Sequence, residues 1–243
     1  VPKKPPGFAR KGLPQIGLEI ENGSHSVHKN TMPVSPKIIE LRQILADRYP
    51  RQTGIGSWCL PTGWPPLDSL IGGGLPKGAI TQLLVPNISS GATLVLHEII
   101  EAMQEVSQYV ALIDSKDCFE PVADHPLLLW IRCYNVLQAL KATDLLLRDG
   151  NLSLVILDFK ENPDQELRKI PASVWYRFQR IIEESGNALL AITRHPIVKC
   201  AQITISTTHL LCLDDLSNER TDLIKFISLE IIRLRTSQEY RYA

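Results

Sequence analysis

The residues with chemical potential begin at Pro86-Asn87-Ile88-Ser89-Ser90-Gly91-Ala92-Thr93, between a strand-like run ending at Val85 and an amphipathic stretch starting near Thr93. Small and hydroxyl-bearing residues at such a junction can let backbone N–H groups and a helix N-terminus surround a phosphate. The working pattern is G-x-x-x-x-G-K-[S/T], in which the lysine meets the phosphate charge and the hydroxyl binds magnesium. Here the spacing is kept: Gly91 stands at the second glycine and Thr93 at the hydroxyl. Pro86 replaces the first glycine and Ala92 replaces the lysine. The missing lysine removes a charge-assisted contact of roughly 1.5–3 kcal/mol. Pro86 fixes φ near about −65° and has no N–H to offer. Ser89, Ser90, Gly91 and Thr93 are thus vestigial nucleotide-binding positions, or alternatively a plain helix N-cap, a place that Ser and Gly favour.

Other reactive side chains give weaker patterns. Asp158 closes the apolar run Leu154-Val155-Ile156-Leu157, where an acid can cap the following turn. Asp114, Asp117, Asp124 and His125 share no ligand face, so they read as a solvated loop with no metal. His97 and His195 read as structural. Trp58, Trp64, Trp130 and Trp175 are scattered and form no stacking platform for single-stranded nucleic acid. Five cysteines make no C-x-x-C pair, and Cys118 has no nucleophile signature around it. This usage excludes a disulfide framework and a cysteine zinc site, and fits a reduced, cytoplasmic setting.

The elements that must position these residues follow from periodicity. Apolar runs at 79–85, 109–114, 152–158 and 187–193 predict strands. Stretches 93–108, 134–149 and 174–185 carry apolar residues at helical spacing. Apolar strands alternating with helices of this length predict an α/β fold with a mostly parallel sheet and helices on both faces. Beyond residue 200 the reading is two strands, 207–213 and 226–234, joined by the polar segment 214–222 as an antiparallel extension. Ahead of the sheet, residues 50–78 are crowded with Pro and Gly. Residues 37–49 read as a helix, with Ser35 as N-cap and Pro36 at its first position.

Composition sets the outer limits. The 243 residues are 44% hydrophobic and 21% charged, as in globular proteins, which excludes wholesale disorder. Basic and acidic residues balance at 26 each, so the whole chain is no polycation for wrapping nucleic acid. No apolar run approaches the ~18 residues of a membrane span, and no apolar h-region follows the first charges. Residues 1–36 hold five bases (Lys3, Lys4, Arg10, Lys11, Lys29) against Glu19 and Glu21, among Pro, Gly, Ser and Asn. The domain reading is a disordered basic tail over 1–36, a leading helix and linker over 37–54, and one core over 55–243. Any DNA contact is expected to be weak, salt-sensitive and carried by the tail.

One part of the chain carries a specific resemblance. Thr62-Gly63-Trp64-Pro65-Pro66-Leu67-Asp68 and Gly73-Gly74-Leu75-Pro76-Lys77-Gly78 resemble T-G-x-x-x-L-D and G-G-L-P-x-G, the entrance to the RecA-like core. Pro86 to Thr93 is similar in length to that family's loop G-P-E-S-S-G-K-T. Val110–Asp114 resembles its next strand, and Leu154–Asp158 its acidic strand end, which implies that Asp158 orients magnesium. The resemblance covers about residues 55–235.

Within that superfamily the chain looks most like the ImuA group of accessory proteins in damage-induced mutagenesis. The residues behind this are Leu128-Leu129-Trp130-Ile131-Arg132, Ala139-Leu140 and Leu146-Leu147-Arg148-Asp149-Gly150. Recombinase RecA fits less well. Lys116 stands where its general-base Glu is expected and Arg194 where its sensor Gln is expected, and the chain after 235 is short for its C-terminal domain. The resemblance implies a non-hydrolysing adaptor in the SOS response and translesion synthesis. Its implied partners are an ImuB-like polymerase-family protein, an error-prone replicative-type polymerase and the RecA filament. No cofactor is expected, and ATP with magnesium would bind weakly. The alternative is an ATP-dependent DNA-binding repair ATPase that borrows a lysine such as Lys77 or Lys116.

Overall fold

A computed structural model describes residues 59–87, 89–122, 124–208 and 210–235. The basic tail and the leading helix expected before residue 55 lie outside them. Strands β1 (Cys59–Leu60) and β2 (Leu75–Pro76) pair antiparallel as a short ribbon. The main sheet uses β3 (Ile80–Leu84), β4 (Val110–Asp114), β5 (Leu128–Arg132), β6 (Leu154–Asp158), β7 (Ala188–Thr193), β8 (Ile203–Thr207) and β9 (Leu229–Leu234). Their spatial order is β5-β4-β6-β7-β3-β8-β9. Every neighbouring pair is parallel except β8 and β9, which run antiparallel at one edge.

The helices are α1 (Pro65–Ile71), α2 (Ala92–Glu105), α3 (Val136–Asp149), α4 (Asp164–Leu167), α5 (Ala172–Ser185) and α6 (Arg220–Phe226). They cover the sheet from both sides because the central strands alternate their side chains between two apolar clusters. Ala111, Ile113, Val155, Leu157, Leu189 and Ala191 share a cluster with Val136 and Leu147 of α3 and with Trp175, Phe178 and Ile182 of α5. Val110, Leu112, Leu154, Ile156, Leu190 and Ile192 point the other way, toward Val95, Leu96, Ile99 and Met103 of α2. Strands buried on both faces explain why β4, β6 and β7 read as unbroken apolar runs. At the start of α3, Asn135 accepts from the Gln138 N–H at 2.9 Å while Gln138 Oε1 accepts from the Tyr134 N–H at 3.0 Å, a reciprocal cap.

The C-terminal reading needs correction. The strand expected over 207–213 lies earlier, at Ile203–Thr207; the segment 214–222 expected as a polar connection holds a 3-10 turn (Asp214–Ser217) and the start of α6, and the strand expected over 226–234 begins only at Leu229. Leu223 and Ile224 of that short helix and Ile227 just after it are buried, all three under 10% exposed. Packing on the core thus overrides a locally polar sequence. Leu128–Arg132 adds a strand, β5, that had carried only the resemblance.

Candidate functional site

Parallel topology brings the C-terminal ends of β3, β4, β6 and β7 to one edge of the sheet, where such folds bind ligands. The loop 86–91 follows β3 there, Asp114 and Asp158 close β4 and β6 as direct register partners, and Arg194 follows β7. The entrance motif lies away from this edge, against the C-terminal part of α2. Asp68 accepts from the Thr62 N–H at 2.9 Å, the Thr62 hydroxyl at 2.7 Å and the Gly63 N–H at 3.1 Å. Gly63 has φ +73°, and a Cβ there would sit 2.0 Å from Ala102 Cβ of α2. The T-G-x-x-x-L-D pattern is therefore a structural clamp that holds α1 against the helix following the loop.

The loop that joins β3 to α2 carries no charged side chain from Pro86 to Gly91. Gly91 is in the left-handed region, at φ +74°, immediately before α2, and its carbonyl accepts the Val95 N–H at 3.1 Å. Ser89 offers its carbonyl to the Leu211 N–H at 2.8 Å, which ties the loop to the connection after β8. A Cβ on Gly91 would meet Ile227 Cδ1 at 2.4 Å, so an apolar side chain already lies against the loop. Ser90 is buried and its hydroxyl has no partner, while Ser89 and Thr93 are exposed. Ala92, at the lysine position, is only 5% exposed.

The acid site is occupied from within the chain. Lys160 Nζ donates to Asp158 Oδ2, and the Lys160 backbone N–H donates to Oδ1 at 3.0 Å. Both side chains are largely buried, at 12% and 3% exposure. Burial pushes the Asp158 carboxyl above its ordinary value, and the Lys160 ammonium opposes that shift. Neighbouring Asp114 accepts from the Phe119 N–H at 2.7 Å and the Lys116 N–H at 3.3 Å. The Ser115 hydroxyl donates to the Asp158 carbonyl at 2.5 Å and also contacts Asn162 Oδ1. Each acid thus serves as a cap for the turn that follows its own strand.

Of the two residues noted for departing from RecA, Arg194 is ion-paired, and Lys116 is held only through its backbone N–H. Lys116 is half-buried beside Asp117, which has φ +55° and is ion-paired with Arg132. The Arg132 guanidinium holds the Asp117 carboxyl below its usual range. Arg194 pairs with Glu161 at 3.1 Å, and His195 contacts Asp164 at 2.6 Å. Gln82, buried in β3, donates to Thr193 Oγ1 at 2.7 Å and to the His195 carbonyl at 3.1 Å, fixing the backbone after β7.

Sequence reasoning missed Lys160, although Asp158-Phe159-Lys160 places acid and base two residues apart and so on one side of an extended chain. It also separated His97 from His125. The structure brings them together with Glu101, their ligand atoms all within 4.8 Å of one another. His97 is held down to about 4 by burial first, then by the charges of Arg220 and His125, so its ring is neutral at physiological pH. Lys77, a lysine considered for borrowing, is exposed beyond β2.

The fold is a RecA-like α/β core. Residues 52–167, slightly under half of the chain, match the family model of the RecA N-terminal domain. The chain is 35% identical over 108 residues to the RecA protein of Symbiobacterium thermophilum, covering 41% of this chain and 30% of that one. It is 36% identical over 108 residues to RecA of Brucella anthropi, covering 41% and 29%. The matched region thus spans less than a third of these relatives. Among solved structures, the RadB recombinase superposes with a TM-score of 0.50 at 17% identity, covering 63% of this chain and 84% of that one. That likeness concerns the fold. No described helix is long and apolar enough to cross a membrane.

Proposed function

We propose that this chain is a RecA-like adaptor in DNA-damage tolerance that acts through protein–protein contacts and does not hydrolyse ATP. One observation carries the reading: the Asp158 carboxylate, the magnesium-orienting position of a RecA-like site, is bound by the chain's own Lys160. A metal arriving there would have to displace a buried ammonium. Nothing at position 92 would replace that charge on a phosphate, because the residue is a buried alanine. Lys116 and Arg194 in place of base and sensor remove the groups that would activate water and couple turnover to assembly.

An adaptor needs surface rather than a reaction centre. Ile232 and Leu234, 53% and 58% exposed, share the outward side of the edge strand β9, and Phe226 at 45% exposure lies just before it. RecA-like cores pack head to tail, a heterologous contact that stays open-ended unless one face is spoiled. A look-alike without nucleotide at that interface would bind a filament end and stop there. On the ImuA resemblance, the partners are an ImuB-like polymerase-family protein, an error-prone replicative-type polymerase and the RecA filament. DNA contact is assigned to the basic residues 1–36. From 37 onward 21 bases face 24 acids, which leaves no general positive field.

Gene deletion followed by counting ultraviolet-induced mutations tests the role. The adaptor reading predicts that induced mutagenesis falls while homologous recombination persists. Unchanged mutagenesis with collapsed recombination would favour an ATP-dependent recombination role instead.

A further inference from the structure

We propose that His97, Glu101 and His125 form a binding site for one divalent transition-metal cation of the zinc type. His97 and Glu101 stand four residues apart on α2 and so share one face of the helix. His125 comes from the connection between β4 and β5, and one ligand atom from each of the three lies within 4.8 Å of the others. It is the one such cluster among the described residues.

The two imidazoles supply an independent reason. His97 is 97% buried (3% exposed), and its Nδ1 has no hydrogen-bond partner. Its ring stacks on Phe119 with centroids 4.8 Å apart, so its orientation is set from the connection that also carries His125. The Nε2 of His125 is also buried without a partner. A buried polar atom left without a partner carries an uncompensated desolvation cost. A cation between them satisfies both nitrogens at once and uses the carboxylate as a third, charge-balancing ligand.

Donor type selects the ion. Two imidazoles and a carboxylate suit zinc and its neighbours, whereas magnesium and calcium prefer all-oxygen sites. Ligand atoms about 2.0–2.2 Å from zinc in a tetrahedron are roughly 3.3 Å apart, so the cluster must contract somewhat on binding. Glu101 is only half-buried and His125 sits on a connection, and both can move inward toward the fixed His97. Arg220 lies 3.4 Å from Glu101 Oε1, where it competes with the ion for that oxygen or, with the ion bound to Oε2, orients the carboxylate. The bound ion would fasten the β4–β5 connection to α2.

The test uses the full chain, stripped with a chelator and titrated with cobalt(II), whose visible ligand-field absorption reports tetrahedral coordination. One equivalent should saturate that band and zinc should displace it. His125→Gln and Glu101→Gln, both away from the deepest core, should each weaken cobalt binding by more than about tenfold while the fold is retained by circular dichroism. The proposal is overturned by any of three results. These are no saturable band, a band unchanged in His125→Gln, or a thiolate-to-cobalt charge-transfer band in the near ultraviolet, which would locate the ion on a cysteine.

Discussion

Lys160 reaches back two residues to the carboxylate of Asp158, so the acid at the C-terminal end of β6 is neutralised by the chain that follows it. Removing one partner of a buried pair leaves the other uncompensated. Lys160→Met should therefore destabilise the protein by about 3–5 kcal/mol at neutral pH. Burial already raises the folded-state value of Asp158 above its ordinary 3.8. A raised folded value means that stability is fully present below 3.8 and is lost as pH climbs through the folded value. Without Lys160 that loss grows, so the melting-temperature gap between parent and variant should widen from acidic to neutral pH. Asp158→Asn combined with Lys160→Met should close most of it. A gap independent of pH would mean that the pair is not ionised.

The Asp68 clamp gives a prediction about the resemblance itself. Asp68→Ala strips the acceptor from two backbone N–H groups and the Thr62 hydroxyl. Denaturant unfolding should show a loss of about 1–3 kcal/mol. Thr62→Val should give a smaller loss, because the backbone donors remain. An unchanged midpoint for Asp68→Ala would remove the motif's structural role.

The sequence displays the strands and the long helices because both faces of the sheet are buried and the runs Val110–Asp114, Leu154–Asp158 and Ala188–Thr193 are nearly all apolar. It also displays the loop, whose length from Pro86 to Thr93 survives the loss of its lysine. The helix α6 does not show in the sequence because only Leu223 and Ile224 of its seven residues are buried, too few for a period to emerge. Lys160 was hidden for a different reason: a lone lysine after a strand reads as solvated, and only the fold shows it lying over a buried acid. The His97 and His125 approach depends on a connection folding onto α2, which no local pattern records.

The loop is closed by packing as well as by substitution. Gly91→Ala should cost about 1–3 kcal/mol, since φ +74° is strained for alanine and its methyl meets Ile227. Adding Ile227→Ala should relieve the steric part and leave the backbone part, measurable as positive coupling in a double-mutant cycle. Ala92→Lys forces a long cationic side chain into a site that is 5% exposed, so it should lower the melting temperature and leave ATP binding weak by calorimetry. A stable Ala92→Lys protein that binds ATP tightly would show that the cradle is open after all.

The central claim is tested most directly by measuring ATP turnover by the purified full chain, with magnesium and single-stranded DNA present, beside its Asp158→Ala variant. The account predicts background turnover for both proteins. Turnover comparable to a working RecA-like ATPase, abolished by Asp158→Ala, would contradict it.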